Sequence, residues 1–252
     1  MYHHYYNNNY GKLCRWGGEE CFFLRDLEER GIKKLISNLE NLRTLIVYDS
    51  PYVLRSILFY DIIPYFLNKN KEIYIVIFTD TMERRLAISY QSILKVNPEI
   101  AKLLEQIKII KIGTKKTSYF GRLHAFITLN QDWWKLLRDI VKNMNNSDVV
   151  IFHGYSILPI LLKDNIHLMI NVIDAMPDDI TFICKVHDSI HQREKMMRHM
   201  DLLYDILIRI KKEDFTFEDT YIIGIYESVI LDIKPEMWRF KIDRDGKLVR
   251  IE

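Results

Sequence analysis

Five short apolar runs, each set apart by enough chain for a helix or a long connection, constrain this sequence more than any other feature. They are TLIVY (44–48), IYIVIF (73–78), IKIIKI (107–112), VVIF (149–152) and ITFICKV (180–186). Apolar and polar residues alternate along a strand wherever one face of the sheet meets water; runs this apolar are covered on both faces. With helices between them they predict a parallel sheet with helical layers above and below, and the right-handed crossover rule leaves few ways to connect it. The runs Ile206–Ile210, Tyr221–Tyr226, Trp238–Ile242 and Lys247–Ile251 follow one another closely. They predict an antiparallel extension on the sheet edge, with Asp245-Gly246 as a hairpin turn.

Helical spacing predicts helices over Tyr52–Leu67, with Pro64 marking a kink or late break, and over Met82–Leu94. A short helix follows Pro98, and others cover Asp132–Asn143, most of Ile157–Met176, and Ile190–Leu203. Trp133 and Trp134 open one of these, one ring expected in the core and the other at an interface. No Pro/Gly-rich linker interrupts the chain. Residues 1–42 are expected to form a flexible Tyr/Asn/His-rich tail and a helical segment broken at Gly31, and residues 43–252 a single α/β domain. At 252 residues, such a chain buries about three quarters of its unfolded surface and needs no metal or disulfide to fold.

Charge narrows the partners. Thirty-six Lys and Arg stand against 34 Asp and Glu, a formal net charge of +2. Binding nucleic acid chiefly through phosphates calls for a basic excess, so any such surface here must be local. Three cysteines, Cys14, Cys21 and Cys184, are too few for a disulfide scaffold and fit a reducing interior. The first ten residues lack the pattern of a signal peptide, and no apolar run approaches the ~20 residues that span a bilayer. The expectation is a cytoplasmic protein without a membrane partner. Abundant Ile, Lys, Glu and Tyr with few Gly is consistent with a thermophile.

Polar residues gather where the strands of a parallel sheet would end, the edge at which such sheets place ligands. Asp49 and Ser50 follow the first run, Thr79 and Asp80 the second, His153 the fourth, and His187 and Asp188 the fifth. Two readings stand side by side. Asp80, His153, His187 and Asp188 form a rim able to hold a divalent metal or supply acid/base groups; alternatively the Asp and Ser residues are helix N-caps. Cys14 and Cys21, with His3 and His4 upstream, are spaced wrongly for a zinc finger. The segment 108–122 carries Lys108, Lys111, Lys115, Lys116 and Arg122 around Tyr119 and Phe120 without an acid. That pattern suits a nucleic-acid strand, and equally a lysine-protected sheet edge. The charged residues His191, Arg193, Lys195, Arg198 and His199 read as a solvated helix face, with several of Met196, Met197 and Met200 turned toward packing.

An N-terminal helix, a strand-turn-helix unit, alternating α/β elements and a terminal run of strands resemble the RecA/KaiC-like ATPases of the P-loop superfamily, in particular degenerate archaeal members. The resemblance implies a three-layer RecA/KaiC-like fold over roughly Arg43–Ile251. It also implies a glycine-rich GxxxxGK[ST] loop after the first strand, whose amides wrap phosphates. Here TLIVY is followed by Asp49-Ser50-Pro51-Tyr52-Val53-Leu54-Arg55-Ser56, with no glycine and no lysine. Arg55-Ser56 is the nearest echo of the motif. VVIF runs into His153-Gly154 instead of the Walker B acid, and Glu83 stands where some relatives carry a catalytic glutamate. With Asp49, Ser50, Arg55 and Ser56 as a degenerate nucleotide loop, the resemblance implies a protein that neither hydrolyses ATP nor keeps a cofactor. Such a protein would act as a scaffold or regulatory partner of another RecA-fold protein or of itself, as recombination and repair paralogues do.

Overall fold

The computed structural model describes residues 5–7, 13–15, 32–130, 132–162, 165–213, 219–244 and 246–251. His3, His4, Cys21, Gly31 and Asp245, with the side chain of Cys14, lie outside what is described. Strands β1 (Tyr5–Asn7) and β2 (Leu13–Arg15) pair antiparallel. The other ten form one sheet: β3 (Arg43–Tyr48), β4 (Ile73–Phe78), β5 (Lys108–Gly113), β6 (Arg122–Thr128), β7 (Val149–His153), β8 (Thr181–His187), β9 (Ile206–Lys212), β10 (Thr220–Ser228), β11 (Glu236–Ile242) and β12 (Leu248–Arg250). Their order across the sheet is 12-11-10-9-3-8-7-4-5-6.

The seven strands from β9 to β6 are parallel, and β10, β11 and β12 add antiparallel to the β9 edge. The expected extension therefore begins one strand later than the sequence indicated, since β9 runs parallel to β3. Apolar cores cover both faces. Ile46, Ile75, Ile77, Ile151 and Ile183 point to the face packed by the helices at 32–37, 51–68 and 80–96. Val47, Val76, Phe152, Phe182 and Cys184 point to the opposite core, which includes Trp133 and Leu137 of the helix Trp133–Lys142. Trp133 is the buried ring and Trp134 lies partly open beneath the cations of Lys135 and Arg138.

The first crossover helix is continuous but not regular. Pro51–Ser56 is α-helical, Ile57–Ile62 widens to π, and Ile63–Asn68 returns to α. A proline ring clashes with the carbonyl four residues back in a regular helix, and the π turn just before Pro64 relieves that clash instead of breaking the helix. The helix Asp80–Val96 follows β4. Further on, the long helices expected at 157–176 and 190–203 are divided into Leu158–Leu162, Ile166–Ile173, Asp188–Arg193 and Lys195–His199, with 3₁₀ turns at Tyr155–Ile157 and Met200–Leu203. His191 is not on a solvated face: it is buried, with Nε2 2.8 and 3.0 Å from the Asp201 carboxylate. No described helix is long and apolar enough to cross a membrane.

Candidate functional site

Strand order decides which rim residues meet. β3, β8, β7 and β4 are consecutive neighbours, so their carboxyl ends open onto one edge between the helices at 51–68 and 80–96. A cleft of ≈ 670 Å³ lies there. Its polar lining includes Tyr48, Arg55, Arg85, His153, Lys185 and His187 with three serines, and none of its lining residues is acidic.

Register explains the centre of this cleft. Ile46 of β3 pairs with Lys185 of β8, and Ile77 of β4 lies between His153 of β7 and Lys111 of β5. The β7–β8 ladder continued by one step sets His153 beside Lys185. Lys185, His153, Ile77 and Lys111 thus form one row on one face of the sheet. Lys185 is only 5% exposed. Its Nζ donates to His153 Nδ1 at 2.5 Å, while His153 Nε2 is 3.2 Å from the carbonyl of Met82. The carbonyl only accepts, which fixes the proton on Nε2 and leaves Nδ1 as the acceptor. Burial, with the adjacent Lys185 charge, holds His153 well below ordinary histidine basicity. Burial, then the charge of Arg55, brings Lys185 down to about 7.

Gly154 makes this close approach possible. It has φ +89, and a Cβ there would stand 2.8 Å from Met82 Cγ and 3.0 Å from the Phe78 carbonyl. A side chain would push β7 away from the turn that holds His153.

The cradle residues are committed elsewhere. The Asp49 carboxylate accepts from the amide of Lys212 at 3.1 and 2.9 Å. Ser50 caps the helix by accepting from the Val53 amide at 3.4 Å. Arg55 donates to the Pro51 carbonyl and to Ser89 Oγ, and the Ser56 hydroxyl donates to the Gly246 carbonyl at 2.6 Å. Of the two, Ser50 is the N-cap.

Asp80 does not act as a cap. Thr79, at φ 80, occupies the cap position without a side-chain bond, and Asp80 opens the helix. Its carboxylate accepts from Thr114 N at 3.0 Å and Thr114 Oγ1 at 2.7 Å, and pairs with Lys111 at 3.0 Å. Glu83 is 1% exposed, paired with Lys111, and accepts from the Tyr119 amide. His187 accepts from the Ser189 amide and meets Tyr48 edge to face, and Asp188 accepts from Gln192. Among the described residues no three His, Cys, Asp or Glu side chains come together as a metal site.

The basic segment divides in two. Lys111 is fully buried with Asp80, Glu83 and the Thr117 carbonyl, and Phe120 packs in the core against Phe59 and Tyr90. Neither stands at the surface, as the sequence pattern had placed them. Lys108 pairs with Glu72 and Tyr74, while Lys115, Lys116, Tyr119 and Arg122 are exposed. Lys185, the central group of the cleft, was not singled out from sequence. The signal available was a lysine near the end of an otherwise apolar central run.

No family model matches this sequence, and no curated protein matches it. Among solved structures the chain is similar to a KaiC-like protein from the hyperthermophilic archaeon Pyrococcus horikoshii. The TM-score is 0.59 over 84% of this chain and 91% of that one, at 12% identity. At that identity the likeness speaks for architecture and not for chemistry. The mostly parallel sheet, its helical layers and its antiparallel C-terminal strands are those of a RecA/KaiC-like fold.

Proposed function

We propose that this protein is a non-hydrolysing member of the RecA/KaiC-like architecture, working as a scaffold or regulatory partner of another RecA-fold protein or of its own copies. The observation that carries the reading is the turn after β3. A phosphate cradle needs free amides and a lysine. Here Ser50 occupies the amide of Val53, Pro51 has no amide to offer, and Asp49 brings a carboxylate to the turn and spends it on Lys212. Ser56, at the place of the motif's hydroxyl, holds the C-terminal turn through Gly246. At the end of β7 stands neutral His153 in place of an acid that would hold Mg²⁺.

Phosphate release from ATP with Mg²⁺ tests the first half: release at the rate of the protein-free control is expected, and turnover above it refutes the reading. Affinity purification from the native host after nuclease treatment tests the second. Near-stoichiometric recovery of a RecA-fold protein, or self-association in sedimentation, is expected. A monomer with neither contradicts it.

A further inference from the structure

The cleft at the ends of β3, β8 and β7 holds cations without counter-ions. Among the described residues no carboxylate lies within ion-pair distance of Lys185, Arg55 or Arg85, and the cleft lining supplies none. Among the described residues the Lys185 amine makes one bond, to a neutral imidazole, and its further donors meet no described partner. Lys185 is buried, where charge without a partner is costly, and Arg55 and Arg85, both exposed, add two like charges facing the same space. Around them the walls are apolar, with Leu54, Leu86, Ile157 and Ile190. The volume is that of a small-molecule site.

We infer that this cleft binds a phosphate-bearing small molecule without a metal ion, the phosphate held by Lys185, Arg55 and Arg85 and the rest of the ligand against the apolar walls. Arginine forks match phosphate geometry, and lysine serves as the compact charge beneath it. Divalent cations need oxygen ligands, and the lining has no carboxylate to provide them. The contacts come from side chains at strand ends and on two helices, not from a loop of amides. The proposal stands apart from the absence of hydrolysis, since a protein that fails to cleave ATP can still hold a phosphate here.

Pyrophosphate, AMP and citrate, each with a chelator at mildly acidic pH, are the probes, read by calorimetry and melting temperature. Saturable binding of pyrophosphate or AMP is expected, unchanged when Mg²⁺ replaces the chelator. Tighter pyrophosphate binding points to a free polyphosphate, tighter AMP binding to an organic phosphate ester, and either supports the inference. Lys185→Met is expected to weaken binding by about tenfold or more. Arg85→Gln, on the open helix surface, gives a second reading should Lys185→Met fold poorly, with a loss of about tenfold. No binding of either phosphate at millimolar concentration, citrate binding as tightly as both, or wild-type affinity in Arg85→Gln overturns the inference. ATP turnover, by contrast, would refute the proposed function and leave this one standing.

Discussion

Two lysines share one row of this sheet, and their surroundings are opposite. Lys111 on β5 meets Asp80, Glu83 and the Thr117 carbonyl, so its charge is answered on every side. Burial works against that charge, yet the two carboxylates hold its pKa above the ordinary lysine value. Lys185, three strands away past Ile77 and His153, is buried to nearly the same degree and, among the described residues, meets only a neutral ring. Burial and Arg55 bring it down to about 7. The first arrangement is complete and serves folding, joining β5 to the helix after β4. The second lacks a negative group, and it opens onto a cleft where a ligand can bring one.

Breaking the complete site has the largest expected effect. Lys111→Met leaves Glu83 buried without its cation and should cost about 3–5 kcal/mol by denaturant unfolding. A loss below about 1 kcal/mol would mean the corner is not structural.

Lys185→Met should do the reverse. The folded-state pKa lies below that of the unfolded chain, so between them the unfolded chain binds more protons. Wild-type stability should therefore rise with pH from about 7 toward 9, and the variant should be the more stable at pH 6 by about 1–4 kcal/mol. Tyr48 from β3, Arg55 and Arg85 from the two helices, His153 from β7 and His187 from β8 also face this space, and comparing variant with wild type at each pH removes their common contribution. A variant less stable than wild type at pH 6, with the same slope, contradicts the contrast.

Smaller effects sharpen it. Ser56→Ala removes the hydroxyl that serves Gly246 and should lower stability by about 1 kcal/mol without changing ATP turnover. Exposed cations are a third case. Lys115→Glu with Lys116→Glu should change stability by no more than about 0.5 kcal/mol, since neither side chain is buried.

The architecture was legible because burial on both faces leaves a strong mark. All five apolar runs are strands, and strand order brings His153 and His187 to one cleft, while Asp80 turns away to Lys111 and Thr114. β6 was missed because an edge strand carries mixed residues: Arg122, His124 and Thr128 are exposed, and only Ile127 is buried. The long helices at 157–176 and 190–203 were overdrawn because apolar spacing persists across the divisions between Leu162 and Ile166 and at Glu194. The site was harder to read. IKIIKI and ITFICKV each place a lysine in an apolar run, and nothing local separates the two. The difference lies in helix 80–96, whose first turn puts Asp80 and Glu83 beside Lys111 and only the Met82 carbonyl beside His153. Asp80 resembled a helix cap for the same reason. Its partner, Thr114, is 34 residues away and on another strand's turn.

Phosphate release from ATP in the presence of Mg²⁺, measured for wild type and for Lys185→Met, bears most directly on the protein's character. With the turn after β3 closed and no acid at the end of β7, both proteins should match the protein-free control. Turnover by wild type above that control would show that a triphosphate is activated here after all, and would contradict a non-hydrolysing role.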